Sequence, residues 1–254
     1  MRPAFPKDSE MRSFFTFSLG IILLIWLPGY ALSFWAEGAY LVANFGAYTW
    51  AIIGFAAYLP IHFVFVRRWY GLQTLEHELT HAIFAILFLR RVTRFVATAR
   101  DGGVVYHQGS FGGEFGDLAI GLGPYVFPTF TVLVALLRPV FSVDYLPIVD
   151  GLIGFTLGFH TLTTISETIQ GFATRQFIDV DGQPTESDIG RVGVVFAAIY
   201  IPFFTLFYHG IVLAQMRSGF AATWQFIRTG ALLGWGHATA LAALVHGLVM
   251  QLLN

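Results

Sequence analysis

The sequence contains no cysteine and few charged residues. Of its 254 residues, 11% are charged and 56% are hydrophobic, whereas soluble domains carry about 25% charged residues. The lack of cysteine excludes disulfides, thiolate nucleophiles and cysteine-ligated metals, so any metal ion must be held by histidine, aspartate or glutamate. The net charge of −1 lacks the basic excess of a nucleic-acid footprint, and we expect no nucleic-acid partner.

Several long segments contain no charged residue, and these segments indicate the class of protein. A helix of about 20 residues is long enough to cross the hydrocarbon of a bilayer. A soluble chain of this length could not bury five such helices in one core, so the sequence predicts a multi-pass integral membrane protein. The segments without Asp, Glu, Lys or Arg are 13–36, 38–66, 118–137, 192–216 and 229–254.

Two further apolar segments contain ionisable side chains. Counting both, the sequence predicts an all-α polytopic membrane protein of about seven transmembrane helices, in one membrane domain over residues 1–254. Ionisable groups within a span usually face a protein interior or a water-filled cavity, so we expect the functional site here. The groups are Glu76, His77, Glu78 and His81 in Gly71–Leu89, and Asp150, His160 and Glu167 in Pro147–Gln170.

A short β-hairpin is predicted after the third helix. Phe95–Thr98 and Val104–His107 flank the turn sequence Asp101-Gly102-Gly103, and β-type runs around a glycine turn are typical of a hairpin. We expect His107, in the second strand, to be exposed. The histidines that stand singly in apolar helices are interpreted as packing residues: His62, His209, His237 and His246.

Positive charges near the ends of the predicted spans indicate the orientation. With the N-terminus in the cytoplasm, eight Lys and Arg residues lie inside and six lie outside. Cytoplasmic loops carry the excess of positive charge. We therefore expect a cytoplasmic N-terminus and a place in the cell membrane or an inner membrane.

His77-Glu78-Leu79-Thr80-His81 is an H-E-x-x-H motif within a predicted helix. Residues four apart lie on one face of a helix, so both imidazoles can bind one Zn²⁺. Glu78 can then reach a metal-bound water as general base, and the metal lowers the pKa of that water to about 7. Two packing histidines are the alternative, which leaves three ionisable groups in five residues of an apolar segment unexplained.

Catalytic zinc sites use three protein ligands and an open position, so a third ligand is needed downstream. Asp150 is favoured because Gly154 and Gly158 share its helix face, and small residues let membrane helices approach closely. We expect that face to pack against the H-E-x-x-H helix. His160, within a threonine-rich patch, is the alternative third ligand, and Glu167 is a further one. Capping of a helix N-terminus is the alternative role of Asp150.

The order of these motifs resembles the site-2 protease class of intramembrane zinc metalloproteases (peptidase family M50, possibly M50B-like). His77–His81 matches the H-E-x-x-H helix, and the stretch from His81 to Gly103 resembles the β-rich segment that follows it. Gly121–Tyr125 resembles a small-residue Gly-Pro motif, and Leu146–Gly151 resembles the Asp-Gly motif that supplies the family's aspartate ligand. The resemblance covers about residues 71–160. Thr80 stands where the family often has glycine.

The resemblance implies hydrolysis of a peptide bond in a membrane-embedded or membrane-proximal protein or peptide. His77, His81 and Asp150 would hold Zn²⁺, and Glu78 would take a proton from the bound water and pass it to the leaving amine. Two other functions stay open. A zinc-binding membrane scaffold (a pseudoprotease) would need no Glu78, and a small-solute or ion transporter would use the intramembrane acids and histidines as a path.

Overall fold

The computed structural model describes residues 6–65, 70–99, 102–174, 176–178, 184–186 and 194–253. Within these ranges the chain is almost entirely helical, with two short hairpins, and the predicted all-α membrane architecture with a hairpin after the third helix is confirmed. The elements are α1 (Pro6–Ala43), α2 (Phe45–Phe65), α3 (Tyr70–Leu87), β1 (Arg91–Ala97), β2 (Gly103–Gln108), α4 (Gly113–Val126), α5 (Thr129–Leu137), α6 (Leu146–Thr174), β3 (Gln176–Ile178), β4 (Pro184–Glu186), α7 (Val194–Ser218) and α8 (Phe220–Leu253).

Most predicted spans are present as long apolar helices, and the chain is a multi-pass integral membrane protein. The predicted span Gly71–Leu89 forms α3, a helix of 18 residues. It does not belong to this set because its ionisable groups lower its hydropathy. The helices long and apolar enough to cross a membrane are Gly20–Ala43, Phe45–Val64, Val143–Ile169, Ile199–Ser218 and Phe220–Leu253, with α4 and α5 as a bent pair.

The segment 118–137, predicted as one continuous helix, is two helices bent by 77°. The break lies at Phe127 and Pro128, where Phe127 adopts an extended conformation (φ −108°, ψ 105°). A residue before proline is disfavoured in the helical region, and proline lacks the amide hydrogen that would continue the ladder. The prediction of a continuous span is therefore wrong, and the bend brings the start of α5 to the side of α3.

The glycine face of α6 packs against α2. A Cβ added at Gly154 would lie 1.8 Å from the carbonyl oxygen of Ala51, and one added at Gly54 would lie 1.9 Å from that of Gly151. Gly158 lies against Tyr58 in the same interface. The expectation that this face packs on α3 is wrong, because α2 supplies small residues of its own that let the two backbones meet.

The hairpin lies along α3 and is fixed near both ends of that helix. The strands β1 and β2 pair antiparallel, with Ala97 opposite Gly103, so β1 extends further than predicted. Gly71, at the start of α3, packs on Ala99 beyond β1. At the other end, the buried side chain of Arg90 forms an ion pair with Asp117 of α4. The hairpin is thereby held against α3 and α4.

Candidate metal centre

The two histidines of the H-E-x-x-H motif lie together on one face of α3. Their ring centroids are 4.8 Å apart and the ring planes are inclined by 72°. The helix is continuous through both residues because Leu72–Leu87 contains neither glycine nor proline. The prediction that the two imidazoles lie side by side on one face of the helix is therefore confirmed.

Helix α4 orients the imidazole of His81. Its Nδ1 lies 2.8 Å from the carbonyl oxygen of Ile120. A carbonyl oxygen only accepts hydrogen bonds, so Nδ1 must carry the proton and donate. In a neutral imidazole the lone pair then sits on Nε2. Histidines that bind metals usually have this arrangement, with the other ring nitrogen donating to a carbonyl or carboxylate.

Helix α6 orients the imidazole of His77 in the same sense. Its Nδ1 lies 3.0 Å from Oε2 of Glu167, and the carboxylate is about one third exposed. An ionised carboxylate only accepts hydrogen bonds, so Nδ1 donates. The ring also meets Tyr125 of α4 edge to face, with centroids 5.5 Å apart. A carboxylate on Nδ1 fixes the tautomer and raises the basicity of Nε2. Glu167, considered from the sequence as a ligand, stands in the position of a group that orients one.

Asp150 does not lie beside the two imidazoles, contrary to the expected packing. Its buried carboxylate accepts two hydrogen bonds from Arg138, at 2.6 Å from Nε and 3.1 Å from Nη2. Asp150 lies near the start of α6, whereas the residue of α6 that contacts His77 is Glu167. At about 1.5 Å per residue, these two acids are about 25 Å apart along the helix axis. The bidentate pair with Arg138 accounts for the burial of Asp150.

His160, in α6, is buried against a different face of α3 from the face that carries the histidine pair. Its Nδ1 is 3.8 Å from Oε2 of Glu76, and its Nε2 is hydrogen-bonded to the hydroxyl of Thr164 at 3.4 Å. Its ring is 6.1 Å from that of His209. Over the described ranges, no group of three or more His, Asp or Glu side chains is arranged to hold a metal ion. The structure thus brings together two of the predicted ligands.

Glu76 has a role that the sequence did not reveal. Its Oε1 accepts a hydrogen bond from the backbone N–H of Phe130 at 3.2 Å, in the first turn of α5, where a helix leaves N–H groups without internal partners. One turn further along α3, the hydroxyl of Thr80 is hydrogen-bonded to that of Thr129. Both contacts exist because the chain breaks at Pro128. That proline was the only sequence signal for them.

Glu78 is buried and lies against the hairpin. A Cβ added at Gly103 would be 2.3 Å from Cγ of Glu78 and 2.7 Å from its Oε1. The predicted general base therefore projects to the side of α3 that β2 covers. The two histidines, by contrast, are oriented by α4 and α6. Three different elements thus surround the H-E-x-x-H motif.

His107 is half-buried, so the expectation that it is exposed is wrong. It lies on β2 opposite Val92, and its Nδ1 is buried with no hydrogen-bond partner among the described residues. Burial lowers the pKa of His107. The positive charge of Arg90 lowers that pKa further, while Asp117 raises it. Burial and Arg90 therefore both favour the neutral form of the ring.

No family model, no curated protein and no solved structure matches this chain. A function must therefore be inferred from the residues around the H-E-x-x-H motif and from their geometry.

Proposed function

We propose that the protein is an intramembrane zinc metalloprotease that hydrolyses a peptide bond of a membrane-embedded or membrane-proximal substrate. One observation carries this proposal: His77 and His81 both donate through Nδ1 to protein acceptors, so both place the lone pair on Nε2 from the same face of α3. This is the arrangement by which proteins prepare imidazoles for a metal.

The two histidines at this site fit zinc as donors, and among the described residues no third His, Asp or Glu completes the group. Neutral imidazole is a common zinc ligand, and the absence of cysteine leaves His, Asp and Glu as the possible donors. The carbonyl of Ile120 and the carboxylate of Glu167 supply the outer partners that zinc-binding imidazoles require. Because Asp150 is held by Arg138, we propose His77 and His81 as ligands and leave Asp150 out of the site.

Glu78 is the group that would move protons. A bound zinc ion lowers the pKa of a coordinated water into the neutral range. The carboxylate of Glu78 lies next in sequence to one proposed ligand and three residues before the other. It would accept a proton from water and return it to the leaving amine, as a general base and then a general acid. Its burial against the hairpin limits where that carboxylate can point.

The surroundings of the site fit a peptide substrate in a membrane. Glu167 is partly exposed beside His77, and we propose that water reaches the site on that side. The hairpin β1–β2 is a two-stranded sheet, and a strand edge offers backbone groups to an extended peptide. We further propose that the protein resides in the cell membrane or an inner membrane with a cytoplasmic N-terminus, from the distribution of Lys and Arg.

The test of this function is the variant Glu78→Gln, which keeps the size of the side chain and removes its basicity. Cleavage of a library of transmembrane-segment peptides should fall by at least roughly 10²-fold, while the zinc content stays at the wild-type level. Zinc bound at full level with no cleavage by the wild-type protein would instead identify a metal-binding scaffold. Unchanged cleavage by Glu78→Gln would show that the mechanism is wrong.

A further inference from the structure

The first residue of β2 lies directly on the side chain of Glu78. A Cβ built on Gly103 would come within 2.3 Å of Cγ, 2.8 Å of Cδ and 2.7 Å of Oε1 of Glu78. Contacts this short do not occur between real atoms. Position 103 can therefore carry no side chain while Glu78 keeps its present conformation.

The backbone does not require glycine at this position. Gly102, the preceding residue, has a φ of +81° and supplies the left-handed conformation of the turn. Gly103 does not have a positive φ, and it is paired with Ala97 in the strand ladder. Any L-residue could adopt that conformation. The reason for glycine at 103 is therefore the space that Glu78 occupies.

The hairpin is the fixed partner in this contact, and the side chain of Glu78 is the movable one. The turn is closed by Thr98, whose backbone N–H and hydroxyl both donate to the carbonyl oxygen of Gly102, at 3.0 Å and 2.8 Å. Gly71 packs on Ala99 beside it, with a Cβ at Gly71 coming within 3.0 Å of Ala99 Cβ. A methyl group at 103 would thus displace the carboxylate, since a Glu side chain changes rotamer more easily than a paired strand moves.

We propose, on the basis of the zinc-protease function above, that Gly103 is the positioning residue for Glu78. The backbone of β2 forms the wall against which the general base packs, so the hairpin and not α3 alone sets the place of the carboxylate. The zinc ligands are oriented from the other sides, by Ile120 and Glu167. A side chain at 103 therefore separates the base from the metal-bound water and leaves metal binding intact.

The experiment compares Gly103→Ala with a matched control, Gly236→Ala. Gly236 lies in α8, and a Cβ there would meet nothing within 4 Å. We expect Gly103→Ala to retain zinc and to lower kcat for cleavage of a transmembrane-segment peptide library by about 10–100-fold, because small displacements of a catalytic group have effects of that order. KM should be unchanged. Gly236→Ala should match the wild type in both constants.

A second readout does not depend on catalysis. Zinc is replaced by Co²⁺, and the visible absorption of the Co²⁺ protein is recorded for Gly103→Ala, Glu78→Ala and the double variant. If Gly103 acts through Glu78, each single variant changes the spectrum, and the double variant has the spectrum of Glu78→Ala alone. An additional change on combining the two would show that Gly103 acts on the metal site independently of Glu78.

The outcomes separate this inference from the proposed function. Full activity of Gly103→Ala, together with loss of activity in Glu78→Gln, would overturn the positioning role and leave the protease function standing. Unchanged activity in Glu78→Gln would overturn the protease function itself. Loss of zinc from Gly103→Ala would show a structural role of the hairpin in the metal site and would overturn the positioning role.

Discussion

Two polar faces of α3 carry hydrogen-bonding side chains in an apolar surrounding, buried on one face and half-buried on the other, and they hold them in different ways. On one face, Glu76 and Thr80 contact the start of α5 through a carboxylate and a hydroxyl. On the other, His77 and His81 each use Nδ1 to contact a protein acceptor. Both faces join α3 to other helices, and the second also places two imidazoles of the same tautomer side by side.

This difference shows how a buried polar group can be assigned to structure or to chemistry. Glu76 stabilises the bend between α4 and α5, because the N–H of Phe130 lies in a first helical turn and needs an acceptor. The acceptors of His77 and His81 come from different helices and impose the same tautomer on both rings. A packing role explains the first arrangement fully. It does not explain why two neighbouring rings share the same tautomer.

The largest effect that separates the faces is on zinc content. We expect the purified protein to hold about one zinc ion per chain, and His77→Ala and His81→Ala each to lose it, because two ligands on one helix cannot replace each other. His160→Ala, on the face of Glu76, and His237→Ala, in an exposed position of α8, should keep it. Elemental analysis by mass spectrometry measures this. Full retention in both motif variants would remove the zinc interpretation.

The next effect concerns the carboxylate that orients His77. Glu167→Gln keeps an oxygen acceptor for Nδ1 and removes its charge, so we expect zinc affinity to fall by about 10–100-fold, as for other outer partners of zinc ligands. Competition with a chelator measures the affinity. An unchanged affinity would show that Glu167 does not tune the site. Complete loss of zinc would instead make Glu167 a ligand.

On the structural face we expect loss of stability without loss of zinc. Glu76→Ala leaves the part-buried N–H of Phe130 without its acceptor, which costs about 1–3 kcal/mol. Asp144→Ala, at an exposed position, should change the free energy of unfolding by no more than about 0.5 kcal/mol. Unfolding in detergent, followed by tryptophan fluorescence, compares the two. A stable Glu76→Ala protein that has lost zinc would reverse the assignment of the faces.

The smallest effect on stability is expected at His107, in strand β2 of the hairpin. Because burial lowers its pKa in the folded state, the unfolded chain binds this proton more readily. The stability contributed by the neutral ring is present above the unfolded pKa of about 6.5 and is lost as the pH falls below it. His107→Gln should therefore show a shallower decline of the unfolding temperature between pH 7 and pH 5. A decline as steep as that of the wild type would contradict the burial of this ring.

Local features of the site were predictable from the sequence, because they depend on residues close together in the chain. The spacing of His77 and His81 fixes a shared helix face whatever the helix packs against. Gly102 in the turn similarly predicts the hairpin. The membrane class follows from composition alone, since long uncharged segments have few other places to lie.

Contacts between distant elements could not be read in this way. Asp150 seemed suited to the metal because Gly154 and Gly158 share its face, yet that face packs on α2 and the acid pairs with Arg138. Helix periodicity predicts which residues share a face of a helix, but it does not predict which other helix packs on that face. Glu167 was underestimated for the same reason: its depth along α6 matters only once the crossing with α3 is known.

X-ray absorption at the zinc edge of the purified protein tests the central claim most directly, namely that the two imidazoles of α3 hold a metal ion. We expect at least two imidazole nitrogens to coordinate zinc at about 2.0–2.1 Å. The imidazole contribution to the spectrum should disappear in the double variant His77→Ala with His81→Ala. Zinc bound without imidazole in its shell, or an imidazole signal that survives in the double variant, would contradict it.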